Sequence, residues 1–525
     1  MNKFLRLVLL FSIIIINGKD VLAQDAVQKM SYFLRLLEAQ YVEKVNIDSL
    51  VEVGITSILD QLDPHSVYLS AEELKKANEP LEGNFEGVGI QFNIIDDTIN
   101  VVHVIVGGPS QQVGIQDGDK IITVDKDTVA GVGITNEKVF KRLRGAKGTE
   151  VVVGVKREGA TKILDFLIIR DKIPLYALDA AYMAKDDIGY IKLSRFSATA
   201  TNEVQTAIDS LKAAGMKNLI LDLTGNGGGY LNQAQSLADL FLDSDKLIVY
   251  TEGRAQPRQD FNAEEKGDFE KGKLVVMVDG SSASASEIVS GAIQDWDRGV
   301  LVGRRTYGKG LVQKGYGLPD NSAVRLTMAH YYIPSGRSIQ RPYKGGSLKY
   351  AEDFIDRFDS GELFDASKMV LIDSTPYYTS KKRVVYGGGG VMPDVYVPAD
   401  TSWRSDFYSK LLRSGAFSKF TLKYVNEHRS DLNQKYPDLK NYIANFSVDN
   451  GLWDDFLKYA QSHDIKSDSS YDVSIYNMKM QLKAMVAQYL FNSKAYYQIV
   501  NELDPIYIKA LNVIKDKEYK EALKE

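Results

Sequence analysis

Val278-Asp279-Gly280-Ser281-Ser282-Ala283-Ser284-Ala285-Ser286-Glu287-Ile288, followed downstream by Gly308-Lys309-Gly310-Leu311-Val312-Gln313, is the stretch from which the fold is read. An apolar strand, Lys273 to Val278, runs into a turn of small residues. Ile288, Val289, Ala292, Ile293 and Trp296 then recur at helical period, which predicts a helix. A serine at a strand-to-helix corner is exposed, and the unpaired amides of the helix start lie near it. Such amides favour an anionic oxygen, which acyl transfer generates.

A serine hydroxyl needs a base. Histidine is the usual one, yet no histidine lies between His103 and His330, and there is no Gly-x-Ser-x-Gly elbow. The nearby titratable group is Lys309, flanked by two glycines. A lysine acts as a base only when burial keeps it neutral. Gln313 can hydrogen-bond a neutral amine without adding charge. One reading is therefore a Ser/Lys pair oriented by glutamine. The other is a Ser/Ala-rich tight corner and an unrelated Gly-Lys-Gly surface turn.

Ser-Ala-Ser-Glu-Ile, then Gln-Asp, then Thr-Tyr-Gly-Lys-Gly-x-Val-Gln, resembles the C-terminal processing peptidases, or tail-specific proteases, which use serine and lysine. The resemblance places the family nucleophile on Ser284, the lysine on Lys309 and the glutamine on Gln313. It gives supporting weight to Glu287, Asp295 and Thr306. It also implies an α/β multidomain fold: an α/β protease core with an inserted-type PDZ β-domain and helical N-terminal and C-terminal regions.

The 525 residues allow three or four domains, and 44% hydrophobic content is ample for several cores. A net charge of −5 gives no nucleic-acid signal, and the lack of cysteine excludes both a disulfide framework and a thiol nucleophile. Lys3 and Arg6 precede an apolar run, Leu7 to Ile16, and then Val21-Leu22-Ala23. This reads as a signal peptide over 1–23. The run is too short for a membrane anchor, and no later segment reads as a membrane span. The expectation is an exported soluble protein, periplasmic where the host has two membranes.

Residues 24–80 read as helical, with Met30, Phe33, Leu34, Leu37 and Tyr41 on one face. Leu62-Asp63-Pro64-His65-Ser66 ends that region; His65 has no His or Cys companion and reads as a turn residue rather than a metal ligand.

Residues 81–173 read as a β-rich domain resembling a PDZ domain of the circularly arranged bacterial type. Such domains bind a peptide C-terminus by strand addition, with loop amides capturing the carboxylate. The matching loop is Gly87-Val88-Gly89-Ile90, where Val88 and Ile90 are placed to line an apolar pocket. The bland alternative is a β-domain without a ligand.

Residues 174–400 alternate strands and helices, the pattern of an α/β core. Gly225-Asn226-Gly227-Gly228-Gly229 follows a buried strand, a place suited to a phosphate or an oxyanion donor. The family often has proline before the last two glycines there. The resemblance therefore implicates the amide of Gly228 in the oxyanion hole, joined by that of Ala285. Thr224 stands where the family usually has arginine, which leaves that arginine's contact in question.

Gly303 to Lys309 fits the start of a phosphate loop, but Gly310 occupies the Ser/Thr position and a strand pattern follows. His330 is a second candidate base, though it reads better as a strand-face residue. Residues 343–386 form an insertion rich in charge and tyrosine with no assignable role. Residues 401–525 read as a helical domain with a stripe of Met478, Leu482, Met485, Val486, Tyr489 and Leu490.

The reading as a whole is an exported serine endopeptidase that cuts proteins near their C-termini, with tails captured by the PDZ domain and no metal or cofactor. Its partners would be protein substrates with exposed tails, with an adaptor protein or a homo-oligomer also open. The alternatives are an inactive PDZ-type tail-binding module and a nucleotide-dependent enzyme.

Overall fold

The computed structural model describes residues 18–467 and 471–524. The leader expected over residues 1–23 falls largely outside them. Among the described residues no helix is long and apolar enough to cross a membrane.

The described residues divide into two compact units, one reaching to Ala71 and including 315–326, the other holding those from Glu72 to Lys314 and from Thr327 onward. The smaller holds α1 (Gly18–Gln40) and α2 (Ile47–Leu59), and its strand Val67–Leu69 pairs antiparallel with Ala323–Arg325. Asn46 caps α2 by accepting from Ser49 N, which explains why the helix starts there. The apolar period expected in α1 is present, but Met30, Phe33 and Tyr41 stay exposed. A helical period identifies an apolar face without supplying the partner that covers it.

In the larger unit, the core is a six-stranded sheet whose spatial order follows the chain: β6 (Leu178–Lys185), β7 (Ile188–Leu193), β8 (Asn218–Asp222), β9 (Leu274–Val278), β10 (Val300–Gly303) and β11 (Val395–Tyr396). The β6–β7 pair is antiparallel; the others are parallel. Strands covered on both faces lose the polar/apolar alternation, and Leu274 to Val278 is accordingly apolar at every position and fully buried. One face packs against α4 (Ala200–Ala213), α5 (Leu231–Asp239) and α6 (Ala285–Asp295). The opposite face is covered by α11 (Pro505–Lys515), through Ile506, Tyr507, Ala510, Val513 and Ile514.

The helical region expected over 401–525 is therefore split by its packing. Phe407 to Val500, including α9 (Ala416–Lys435) and α10 (Ile475–Leu490), has a core of its own, whereas the last helices belong to the sheet. The sequence stripe from Met478 to Leu490 lies in that separate core.

The β-domain contains β1 (Ile90–Ile95), β2 (Thr98–Val104), β3 (Lys120–Val124), β4 (Glu150–Lys156) and β5 (Leu164–Ile169), in that spatial order, with α3 (Asn136–Leu143). Strand β1 ends the sheet, and its register pairs Ile90 with Val104 and Gln91 with His103. Asp117 contacts His103 at 3.1 Å and accepts from Val104 N at 2.8 Å. The hydrogen bond to Asp117 holds the imidazole above its ordinary pKa, against partial burial and the charge of Arg429. A raised folded pKa gives stability that is fully present below the unfolded value of 6.5 and lost as pH rises through the folded one. Thermal melts should therefore show a small loss over that window, roughly 0.5 kcal/mol for a half-exposed pair, which His103→Asn abolishes.

Candidate active site

The corner expected after Val278 forms as read: β9 ends at Val278 and α6 begins at Ala285. Ser284 sits at the helix start with φ 56° and ψ −113°. Such a backbone costs a non-glycine residue on the order of 1–3 kcal/mol and persists only where neighbours over-determine it.

Glu287 supplies much of that determination. Its carboxylate is completely buried and accepts from Ser284 N at 2.8 Å, Lys309 N at 2.9 Å, Gly308 N at 2.7 Å and Thr306 Oγ1 at 2.6 Å. Burial pushes the Glu287 carboxyl above its ordinary pKa, while these four donors pull the other way. Thr306 Oγ1 also accepts from Val391 N at 2.7 Å, which fixes its remaining direction. Opposite Glu287 stands Tyr331, fully buried, whose hydroxyl lies 3.1 Å from Ser284 O and 2.5 Å from Lys309 O. One carboxylate thus holds the amides of Ser284 and Lys309, and one phenol sits against their carbonyls. Lys309 is half-buried, and its Nζ donates to Gln313 Oε1 at 3.1 Å.

The glycine loop after β8 reaches the same place. A side-chain carbon at Gly228, φ 99°, would stand 2.9 Å from Ser284 Cβ and 3.0 Å from Ala285 N. Gly228 N donates to Asn226 Oδ1 at 2.9 Å, so this amide is engaged within its own loop. Asn226 is fully buried; its Nδ2 donates to Leu193 O, and its carbonyl accepts from Ala283 N and Ser286 Oγ. Thr224, standing where the family usually has arginine, closes with Lys192 around Asp222, Thr224 Oγ1 donating to Asp222 Oδ1 at 2.7 Å and Lys192 Nζ reaching Thr224 Oγ1 at 2.8 Å.

Asp295 belongs elsewhere. It ends α6, about 16 Å along the helix from Ser284. There it accepts from Arg337 Nη2 at 2.9 Å and Ser335 N at 2.9 Å, fastening a turn of the core. In the β-domain, Gly87 ends the strand Asn84–Gly87 and Ile90 opens β1. Val88 O accepts from Ser110 N and Oγ, and Gly89 O from Ile105 N. Val88 and Ile90 pack into the domain core. A cleft of about 770 Å³ is lined by Ile90, Phe92 and His103 of the β-domain, by Arg195, and by Tyr489 and Phe491 of the helical region. Among the described residues no cluster of three or more metal-ligand side chains occurs.

The signature of peptidase family S41 matches residues 187–346, that of the PDZ domain residues 87–167, and that of a family of unknown function residues 407–492. The carboxy-terminal-processing protease of Bartonella bacilliformis is 38% identical over 326 residues, 60% of this chain and 74% of that one. The carboxy-terminal processing protease CtpA of Bacillus subtilis is 34% identical over 353 residues, 67% and 72% of the two chains. The chain belongs to peptidase family S41. A photosystem II D1 C-terminal processing protease structure aligns over 70% of this chain and 86% of its own, at 25% identity and a TM-score of 0.36.

Within this S41 chain, Tyr331 and Asn226 escaped the sequence reading. Tyr331 is one aromatic in an apolar strand and looks like core filling; Asn226 sits among glycines that drew attention to their amides. A fully buried tyrosine whose hydroxyl finds main-chain acceptors is the structural signal for the first. Two consequences are measurable. Glu287→Gln turns one end of the acceptor into a donor facing amide N–H groups, so stability should fall by about 2–3 kcal/mol in urea titrations, with loss of turnover. Gly228→Ala places a methyl against Ser284 Cβ and should abolish turnover while far-ultraviolet circular dichroism stays native.

Proposed function

We propose that this S41 peptidase is an exported endopeptidase that cuts proteins near their C-termini through a Ser284/Lys309 pair, with the tail held by its PDZ domain. The observation that carries the reading is the double bracket of Glu287 and Tyr331, which binds the backbones of both residues at once. Ser284 Oγ attacks the scissile carbonyl carbon while neutral Lys309 Nζ takes its proton. Gln313 Oε1 orients the amine. The tetrahedral oxyanion meets the Ala285 amide and, once its bond to Asn226 Oδ1 is exchanged, the Gly228 amide. Each such donor is worth roughly 3 kcal/mol in comparable sites. Collapse expels the amine, which takes the proton from Lys309, and water then hydrolyses the ester by the same route.

Tail capture is supported by the terminal position of β1, whose outer edge is placed to pair with an added strand, and by the adjoining loop 87–90. Arg195, which also lines the cleft, precedes Phe196, whose N–H donates to Gly228 O. This neighbourhood supports a path from the strand proposed to receive the tail toward the proposed nucleophile. Export rests on the leader sequence, and the names of the curated relatives support processing at C-termini.

A disordered reporter tail tests the reading. Ser284→Ala and Lys309→Ala should each lower kcat by roughly 10⁴-fold or more, and the double variant no further, because residues acting as a unit are not additive. Both should still bind the tail peptide. For wild type, kcat/KM should rise with pH through an apparent pKa well below the ~10.4 of free lysine. Retained turnover in Ser284→Ala, or a flat profile, would remove the mechanism.

A further inference from the structure

Residues 343–386 have no role in the scheme above, yet they lie against the chain that delivers Lys309. The insertion contains α7 (Gly346–Ala351) and α8 (Asp353–Asp359). We infer that this insertion is a second clamp on the lysine segment, and that Arg357 is a positioning residue for Lys309. The inference rests on the reading of Lys309 as the base.

The amides of the segment face inward: Tyr307 N donates to Ser282 O, and Gly308 and Lys309 N to Glu287. The carbonyls of Arg305 and Thr306 face the insertion. Arg357 Nη1 donates to Arg305 O at 3.2 Å and Nη2 to Thr306 O at 3.0 Å, so one planar guanidinium spans two consecutive carbonyls. Tyr350 Oη lies 3.4 Å from Gly308 O. Glu362 accepts from Arg305 Nε and Nη2, both at 2.7 Å. Arg357 also pairs with Asp353 at 2.8 Å, and its Nη1 would stand 3.7 Å from a side-chain carbon at Gly280, in the loop before the nucleophile.

Arg357, Arg305 and Glu362 are all buried. Burying charges is costly, and an apolar plug of equal volume is often as stable. Stability alone therefore does not account for a charged network here. What an apolar plug cannot do is grip main-chain carbonyls directionally. Two side chains of the insertion, Arg357 and Tyr350, reach the carbonyls of Arg305, Thr306 and Gly308, within four residues of Lys309, while Glu362 holds the Arg305 side chain. With Glu287 on one side and the insertion on the other, the lysine backbone has no free direction of shift.

The test uses the full chain and the disordered reporter tail. Arg357→Ala should lower kcat by up to about 100-fold, the scale of a 1 Å misplacement, with KM for the tail unchanged. Its pH–rate curve should be displaced from that of wild type. Millimolar guanidinium ion should restore kcat in Arg357→Ala and have no such effect on Lys309→Ala. Full kcat in Arg357→Ala, or a fall that guanidinium does not relieve, overturns the inference. Where Arg357→Ala does not fold, the near-isosteric Glu362→Gln decides: reduced kcat at unchanged KM supports the clamp, and wild-type kcat overturns it. Retained activity in Lys309→Ala would instead overturn the Ser/Lys reading itself, so the two failures are distinct.

Discussion

A carboxylate removed entirely from water sits between the two chain segments that carry the candidate nucleophile and base, and the site depends on how it is solvated. Glu287 receives hydrogen bonds from three main-chain amides and one hydroxyl, drawn from residues 284, 306, 308 and 309. Each oxygen takes two donors. An ionised carboxylate buried without partners is prohibitively costly, so this network has to form as a whole. Forming it joins the start of α6 to the segment after β10. Tyr331 repeats the constraint from the carbonyl side. The left-handed backbone of Ser284 is tolerated because both of its peptide groups are occupied by groups that would be stranded if it relaxed.

This constraint explains why the sheet is built as it is. Strands β9 and β10 are adjacent and parallel, with Val278 opposite Gly303 in the register. The loops leaving their C-terminal ends therefore emerge side by side, which is where open α/β sheets place their ligands. Strand β8 lies on the other side of β9, so the glycine loop 225–229 emerges there as well. Three consecutive strand ends bring Gly228, Ser284 and Lys309 together although they are distant in sequence. Asp295, at the far end of α6, shares the helix but not the site; its carboxylate serves the turn held by Arg337.

The corner itself was legible because its chemistry is local. A run of five apolar residues must be a strand covered on both faces, small residues must follow to let the chain turn, and an apolar period of helical spacing must then pack back on the sheet. Lys309 and Gln313 stand out in the sequence because their types and spacing match a family pattern. What was not legible depends on long-range partners. Tyr331 differs from a packing tyrosine only in where its hydroxyl ends. Arg357 and Glu362 lie in a charged stretch whose composition suggests a solvated surface, whereas in the fold they are buried against main-chain carbonyls. The helix at 505–515 shows an apolar face like its predecessors, and nothing local reveals that it covers the β-sheet rather than the neighbouring helices. The reverse holds for α1, where the face is plain and its cover is not within the described fold.

The contacts between the β-domain and the helical region differ in kind from those at the site. Asn93 Nδ2 donates to Ser418 Oγ, which contacts the Tyr489 hydroxyl at 2.8 Å, and Asn426 approaches Gly118. Arg429 lies near Asp117 and His103. These are single polar contacts around a cleft, without the shared apolar core that fuses α11 to the sheet. Interfaces of that composition part more readily than hydrophobic ones. The segments carrying the candidate nucleophile and base are thus locked by buried carbonyls and amides, while the strand proposed to receive the tail is bordered by contacts that water can replace. The separation suits the proposed function: the geometry of attack tolerates little movement, and the entry of a chain requires some.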